Sequence, residues 1–274
     1  MKKSEELQIT LVQTDIVWED KDANLRRCSE LIAGIEGKKE VVVLPEMFST
    51  GFSMQASKLA ESMDGPTIQW MRDTAKKNKI ILTGSIIIEE NGQYYNRLIW
   101  MQPDGNFGKY DKRHLFGYAG EDAHYSAGDT RLIVQVNGWK ICPLICYDLR
   151  FPVWSRNSLS FSDGNGNGAG SAAYDVLLYV ANWPRRRSLA WKTLLQARAI
   201  ENQSYCIGVN RVGTDGSGFE YEGSSSAFDP LGEVLWQHSE TEAIQIITLS
   251  RKMLEETRSH LPFLKDADRF IIPE

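Results

Sequence analysis

One stretch of the chain, residues 142–152, reads CPLICYDLRFP. Its apolar first half predicts a buried strand that ends at Cys146, where a turn follows at once. Such a junction can expose a thiol at the carboxyl end of a sheet, with backbone N–H groups beside it. Since a thiolate is a strong nucleophile, the arrangement favours covalent catalysis. A buried structural cysteine is the alternative, because free cysteine is among the most buried residue types.

A second informative segment, residues 41–48, reads VVVLPEMF. Its four apolar residues predict a central parallel strand, and Pro45 ends this strand because proline cannot donate to a ladder of backbone hydrogen bonds. Glu46 therefore follows the strand end among apolar neighbours, where a carboxylate loses solvation and becomes suited to proton transfer. An ordinary loop glutamate at a strand end is the alternative.

A third segment, residues 109–116, reads KYDKRHLF. Its charged residues between two aromatic residues predict a loop with some side chains turned inward. Lys112 in this loop could supply a fixed cation to a developing oxyanion. A solvated basic turn is the alternative. His114 leaves a rival mechanism open, in which this histidine is the base of a Cys–His dyad.

Together the three segments resemble the signatures of the nitrilase superfamily of carbon–nitrogen hydrolases, which use a Glu–Lys–Cys triad. Residues 181–184 (ANWP) and 197–202 (ARAIEN) match as well. The resemblance runs from about Leu7 to about Phe270, and CYDLRFP with ANWP is typical of the omega-amidase (2-oxoglutaramate amidase) branch. It implies a four-layer α-β-β-α sandwich, a small amide substrate such as 2-oxoglutaramate, and a homodimer. It implies no cofactor.

The resemblance also implies roles for individual residues. Glu46 is the base and later the acid, and Cys146 carries a thioester. Lys112 and the backbone N–H of Tyr147 stabilise the oxyanion. Glu121 matches the position at which the family often adds a second glutamate after the lysine loop. For Glu121, a surface acid without a catalytic role is the alternative.

A 2-oxo acid substrate carries a carboxylate that needs a cationic partner. Arg150 and Arg187 are candidates, because guanidinium binds a carboxylate through two parallel hydrogen bonds. A structural role for Arg150, in which it pairs with Asp148 or Glu201, remains open. The apolar walls of the pocket are expected from aromatic residues near the motifs. These are Phe48, Phe52, Tyr110, Phe116 and Trp183.

Length and composition set further bounds. A chain of 274 residues can form one large α/β domain over residues 1–274. A net charge of −5 gives no support to a nucleic-acid partner, and no apolar stretch approaches the ~20 residues that span a bilayer. Four cysteines do not suggest a disulfide framework, so we expect a reducing cytoplasm. No Cys-x-x-Cys or His-x₃-His spacing occurs, so we expect no metal.

Strand-like and helix-like patterns alternate along the chain and favour an α/β class with helices covering sheets. Residues 176–180 predict a buried strand, and residues 188–202 predict a strong helix. Residues 80–88 and 94–102 predict a hairpin across Asn91-Gly92. Residues 158–171 are rich in Gly, Asn and Ser, which predicts a flexible surface insertion.

The same motifs are compatible with other functions. Within the carbon–nitrogen hydrolases, nitrile hydrolysis and N-carbamoyl cleavage differ from amide hydrolysis only in the electrophile that the thiol attacks. A non-catalytic interaction protein is disfavoured, because all three polar members of the triad are present. A thiol redox protein is disfavoured as well, because Cys146 has no resolving partner in a Cys-x-x-Cys motif.

Overall fold

The structure is a computed structural model that describes residues 4–160, 170–268 and 270–272. Within these residues the chain forms fifteen strands and six α-helices. In chain order they are β1 (Glu6–Gln13), α1 (Lys21–Ala33), β2 (Val41–Val43), α2 (Ala56–Leu59), α3 (Pro66–Asn78), β3 (Ile81–Glu90), β4 (Gln93–Met101), β5 (Phe107–Asp111), β6 (Val134–Val136), β7 (Trp139–Ile145), α4 (Pro152–Ser155), β8 (Leu159–Ser160), β9 (Ser171–Ala172), β10 (Val176–Val180), α5 (Ser188–Asn202), β11 (Tyr205–Val209), β12 (Val212–Thr214), β13 (Glu220–Phe228), β14 (Val234–Ser239), β15 (Ala243–Ser250) and α6 (Arg251–His260).

Two mixed sheets contain most of the strands. The first has the order β15-β1-β2-β3-β4-β5, and the second has the order β12-β13-β11-β10-β7-β6 with β14 beside β13. Strands β1, β2 and β3 are parallel to one another, as are β7, β10 and β11. Every residue of β2, β10 and β11 is buried, as expected for parallel strands covered on both faces.

Helices cover the outer face of each sheet and complete four layers. On β2, Val42 packs with residues of α1 and α3, whereas Val41 and Val43 belong to the core that the two sheets share. This alternation follows from the two-residue period of a strand. Helix α5 packs on β11 and β13 of the second sheet. The predicted α-β-β-α sandwich is therefore confirmed.

Several predicted elements are confirmed, one is wrong, and one helix was not predicted. The strand 176–180 and the helix 188–202 have the predicted bounds, and β3 and β4 form the hairpin across Asn91-Gly92. The prediction of a loop at the start of 109–116 is wrong, because β5 pairs with β4 as far as Asp111. Helix α6 was not predicted. Among the described residues, no helix combines the length and the apolar character needed to cross a membrane.

The predicted insertion at 158–171 begins and ends in an antiparallel pair. Leu159 pairs with Ala172 and Ser160 with Ser171, so the ends of this segment are ordered against each other. Residues 161–169, in which most of the glycines lie, fall outside the described residues.

Candidate active site

The three predicted catalytic residues meet at one place. Glu46 lies just beyond β2, Lys112 follows β5 directly, and Cys146 follows β7 directly. Lys112 Nζ lies 2.9 Å from Glu46 Oε1, the Cys146 thiol donates to the Asn182 carbonyl at 4.0 Å, and Glu46 lies near enough to the thiol for its charge to raise the pKa of Cys146. Residues separated by 66 and 34 positions in the chain thus form one contiguous polar cluster, as the three motifs predicted.

Cys146 occupies a strained turn. Its φ angle is 44°, in the left-handed region that a residue with a Cβ seldom adopts, and a 3₁₀ helix over Cys146–Arg150 follows. The side chain is 9 % exposed, so the sulfur is reachable from the cavity described below. Burial first, and then the charge of Glu46, raises the pKa of the Cys146 thiol well above its usual value. The thiol therefore stays protonated at neutral pH and needs a base before it can attack.

A closed set of charges lies beneath the thiol. Lys112, Glu46 and Glu121 are fully buried, and Lys112 Nζ also lies 3.0 and 2.9 Å from the two oxygens of Glu121. Burial alone would lower the pKa of Lys112, but the charges of Glu121 and Glu46 raise it overall, so the ammonium persists. Glu121 is thus a partner of Lys112, and the alternative of a surface acid is wrong.

Glu121 is held by donors on both of its oxygens. Besides Lys112, the backbone N–H of Phe116 donates to Oε2 at 2.5 Å, and Asn96 donates to Oε1 at 3.3 Å. Burial raises the pKa of Glu121, and the charge of Lys112 opposes this shift. Since all of these contacts come from N–H groups, the carboxylate form fits the site best.

Two asparagines that the motifs did not mark as site residues hold Glu46. Asn96 Nδ2 donates to Glu46 Oε1 at 2.8 Å, and the Asn182 backbone N–H donates to Oε2 at 2.7 Å. The Asn182 side chain also donates to the Glu46 carbonyl at 2.5 Å. In both asparagines the buried Oδ1 has no hydrogen-bond partner among the described residues. Each unpaired acceptor costs about 1–3 kcal/mol.

Asp148 joins the nucleophile turn to the lysine loop. Its Oδ2 accepts from the backbone N–H of Ile145 at 3.0 Å and from the Tyr110 hydroxyl at 2.7 Å. Its Oδ1 lies 2.8 Å from His114 Nδ1, and the His114 ring stacks on Phe151 at 3.8 Å between centroids. His114 thus orders the loop through Asp148, whereas Glu46, and not His114, is among the charges that shift the pKa of the thiol. This geometry disfavours the Cys–His dyad.

A cavity of about 240 Å³ opens from the sulfur of Cys146. All six residues predicted to bind substrate line it, namely Tyr147, Arg150, Trp183, Phe52, Phe116 and Arg187. The prediction is wrong for Phe48, which packs in the core beneath α3, and for Tyr110, which is buried against Asp148. Sequence reasoning missed several further lining residues. These include Met54, Tyr118, Arg186, Asp215, Ser217, Phe219 and Tyr221.

Three arginines at this cavity have no acidic partner among the described residues. Each lies over an aromatic ring: Arg150 over Trp183 at 4.9 Å, Arg187 over Phe116 at 4.9 Å, and Arg186 over Phe219 at 4.4 Å. Burial, and then the charge of Arg186, lowers the pKa of Arg187. Their neighbour Arg185 instead pairs with three glutamates, which are Glu220, Glu222 and Glu240.

The structural alternative for Arg150 is not found in the described residues. Asp148 is occupied by Tyr110 and His114, and Glu201 pairs with Arg198 Nη1 at 2.9 Å. Arg150 therefore presents its guanidinium to the cavity and to the ring of Trp183.

Comparison with known proteins identifies the family. Residues 8–259 match the family model described as carbon-nitrogen hydrolase. The chain belongs to this family. It is 45 % identical to the omega-amidase YafV of Escherichia coli over 265 residues, which cover 96 % of this chain and 98 % of that protein. It is 33 % identical to the 2-oxoglutaramate amidase of Bacillus subtilis over 261 residues, which cover 94 % and 96 % of the two chains.

A solved relative supports the same assignment. A CN-hydrolase superfamily protein from Xanthomonas campestris, solved with an arsenic adduct in its active site, superposes with a TM-score of 0.93 at 42 % identity. The superposition covers 98 % of this chain and 100 % of that chain. This carbon–nitrogen hydrolase is therefore an amidase of the nitrilase superfamily that acts on linear amides. Within the described residues, no group of three or more His, Cys, Asp or Glu side chains is arranged to hold a metal ion.

Proposed function

We propose that this hydrolase removes the terminal amide of a short 2-oxo dicarboxylic acid monoamide, such as 2-oxoglutaramate, and releases ammonia. The observation that carries the proposal is the position of Arg150 and Arg187. Their guanidinium groups, which have no acidic partner among the described residues, share one small cavity with the Cys146 sulfur. The names of the Escherichia coli and Bacillus subtilis relatives support the same substrate class.

In the first half-reaction, Glu46 takes the proton of the Cys146 thiol while the sulfur attacks the amide carbon. The carbonyl π electrons move to oxygen, and Lys112 with the backbone N–H of Tyr147 stabilises the oxyanion. The tetrahedral intermediate then collapses, the C–N bond breaks, and Glu46 returns the proton to the departing nitrogen. Ammonia leaves, and the acyl group remains on the sulfur as a thioester.

In the second half-reaction, water replaces ammonia beside Glu46. Glu46 removes a proton from this water as its oxygen attacks the thioester carbon, and the same oxyanion donors act again. The C–S bond breaks, the sulfur recovers its proton from Glu46, and a carboxylic acid leaves. One carboxylate serves both halves because its acid and base roles reverse. Glu121 holds Lys112 in place throughout, through contacts of 2.9 and 3.0 Å.

Arg150 and Arg187 would bind the substrate carboxylate at the end opposite the amide. A guanidinium can bind a carboxylate through two parallel hydrogen bonds, and a partly buried site strengthens that attraction. Both arginines are half-buried and lie against aromatic rings, which restrict where their charge can point. A ligand carboxylate would offset the burial and the repulsion from Arg186 that together lower the pKa of Arg187.

The test is release of ammonia from 2-oxoglutaramate, 2-oxosuccinamate, glutamine and a simple nitrile at equal concentrations. We expect turnover of the two 2-oxo amides, with kcat/KM at least about 100-fold above that for glutamine, whose ammonium group faces the same cations. A Cys146→Ala variant serves as the control for contaminating activity. Preferred turnover of the nitrile, or of an N-carbamoyl compound added to the panel, would contradict the proposal.

We further propose that the enzyme is a homodimer built from a single domain over residues 1–274 and that it works in the cytoplasm. The exposed apolar side chains of Val153 on α4 and of Leu189 and Ile200 on α5 support a subunit contact. A reducing compartment suits a catalytic thiol, and the four cysteines are unpaired. Light scattering on the purified protein measures the subunit number directly.

A further inference from the structure

Asn96 lies in the middle of β4, opposite Ile87 of β3, and its side chain is fully buried. Its Nδ2 donates to Glu46 Oε1 at 2.8 Å and to Glu121 Oε1 at 3.3 Å. The one amide group therefore contacts both carboxylates of the site. Its backbone carbonyl accepts from the N–H of Lys112 at 3.0 Å, so the same residue also fixes the start of the lysine loop.

The orientation of the Asn96 amide follows from its surroundings. If the amide were reversed, Oδ1 would face two carboxylate oxygens, and three acceptors would meet without a proton between them. The observed orientation leaves Oδ1 buried and without a partner among the described residues. Since an apolar side chain would avoid this cost, the contact of Nδ2 with the carboxylates explains why an amide stands here.

We propose that Asn96 is a positioning residue of the reaction, whose amide N–H group bridges the Glu46 and Glu121 carboxylates and fixes the position of Glu46. Glu46 is then ready to take the proton of Cys146. This inference rests on the proposed role of Glu46 as the base. Lys112 donates to the same two oxygens, Glu46 Oε1 and Glu121 Oε1, so Asn96 adds a second, neutral donor that fixes them from the β4 side.

Few ionisable groups can make the activity of the Glu46–Lys112–Glu121 cluster depend on pH. Lys112 remains charged because the two carboxylates raise its pKa. Burial raises the pKa of Tyr125 and of Tyr221, so both phenols remain neutral at working pH. The titrating groups that face Glu46 among the described residues are then Glu121 and Cys146.

The first variant is Asn96→Leu, which has a similar volume and removes the N–H donor. We expect kcat for the amide substrate to fall about 100-fold, as for the loss of general base assistance, while KM changes less than about threefold. The pH profile of kcat should shift as well, because Glu121, whose pKa is raised by burial, loses a hydrogen-bond donor to its ionised form.

The second variant, Asn96→Asp, separates positioning from packing. A new carboxyl group between two carboxylates binds a proton, because like charges and burial both favour its neutral form. That proton restores one hydrogen-bond donor at the position. We expect the activity of Asn96→Asp relative to Asn96→Leu to rise at least about tenfold as the pH falls from 9 to 6. Equal, pH-independent losses in both variants would overturn the proposal, as would a wild-type profile in Asn96→Asp.

A matched control is Thr83→Val on β3. The Thr83 hydroxyl is also buried and without a partner among the described residues, but it does not contact Glu46 or Glu121. We expect this variant to keep the wild-type rate and pH profile.

Alkylation of Cys146 by iodoacetamide provides a second readout that needs no amide substrate. We expect the alkylation rate to fall about tenfold in Asn96→Leu at pH 7, and to recover in Asn96→Asp as the pH falls. If none of the amides releases ammonia, the proposed function fails, yet these alkylation rates still decide the role of Asn96. If Asn96→Leu does not fold, the pH profile of Asn96→Asp against the wild type decides it.

Discussion

The charged side chains at the bottom of the cavity are paired with one another, whereas those at its mouth are not. At the bottom, Lys112, Glu46 and Glu121 are fully buried, and Lys112 Nζ lies 2.9 Å from one oxygen of each glutamate. At the mouth, Arg150 and Arg187 are half-buried and lie against aromatic rings, with no acidic partner among the described residues. The first region is electrostatically closed, whereas the second is open to an anion.

This difference separates chemistry from recognition. A closed cluster holds its members in fixed protonation states before the substrate arrives, which lowers the reorganisation needed during reaction. An open set of cations gains its partner only when the substrate carboxylate binds. Damage to the bottom should therefore reduce kcat or stability, and damage to the mouth should mainly raise KM for anionic substrates.

Glu46→Gln should cause the largest loss. The variant keeps the shape of the side chain but cannot take the Cys146 proton, so we expect kcat to fall about 10²- to 10⁴-fold or more. Because burial raises the pKa of the Cys146 thiol, alkylation of this variant by iodoacetamide should become appreciable only at strongly alkaline pH. Stopped-flow measurement of acylation and alkylation across pH 6–10 checks both.

His114→Ala is the matched comparison for that test. It removes the contact with Asp148 but leaves Glu46 beside the thiol, so we expect only about a tenfold loss of kcat. A greater loss in His114→Ala than in Glu46→Gln would instead favour the Cys–His dyad.

Lys112→Met should cause the next largest effect, and it should reduce stability as well as activity. The substitution leaves Glu46 and Glu121 buried without their cation, which costs about 3–5 kcal/mol in the free energy of unfolding. This cost should shrink as the pH falls, because protonation neutralises the carboxylates. Urea unfolding at pH 5 and pH 8 measures it.

A control for Lys112→Met lies on β5, the strand that directly precedes Lys112. Lys109 is partly exposed and pairs with Glu90 at 2.9 Å, so Lys109→Met should cost less than about 1 kcal/mol. Equal losses in the free energy of unfolding for the two variants would mean that the buried charges of Glu46 and Glu121 do not depend on Lys112 for their stability.

Substitution at the mouth should have the smallest and most selective effect. We expect Arg150→Ala to raise KM for 2-oxoglutaramate about 10- to 100-fold, and to leave KM for an uncharged short amide nearly unchanged. Arg186→Ala, at an exposed position, should raise it only a few-fold, and this increase should vanish at high salt. Steady-state kinetics at about 0.05 and 0.5 M NaCl make the comparison. Equal effects of Arg150→Ala on both substrates would refute a carboxylate site.

The sequence predicted those parts of the site that local patterns encode. Apolar runs that end before Glu46 and at Cys146 indicated two strand ends, and these strands, β2 and β7, belong to the two different sheets that face each other. Lys112 was found as a charged residue between aromatics, although its loop begins three residues later than expected, after Asp111. The resemblance to a known family gave the four layers and the role of Glu121, which composition and periodicity alone would not have supplied.

The remaining features depend on contacts between distant segments. Strand β5 carries Lys109, which pairs with Glu90 of β3, and Asp111, which pairs with Arg97 of β4. Such charged edge strands lack the usual apolar alternation. Asn96 lies 50 positions from Glu46, and nothing in the local sequence indicates that its amide meets a carboxylate. Likewise, Arg185 pairs with glutamates while Arg186 and Arg187 do not, because β13 and the end of β14 place Glu220, Glu222 and Glu240 next to Arg185.

Asp148 has a consequence for attempts to redesign this enzyme. Its carboxylate binds Ile145, just before the nucleophile, and also Tyr110 and His114, on either side of the lysine. The nucleophile turn and the lysine loop are therefore held together through one acceptor. A transplant of one loop from a relative would separate donors from their common acceptor. Both loops must be exchanged together for a chimaera to retain its chemistry.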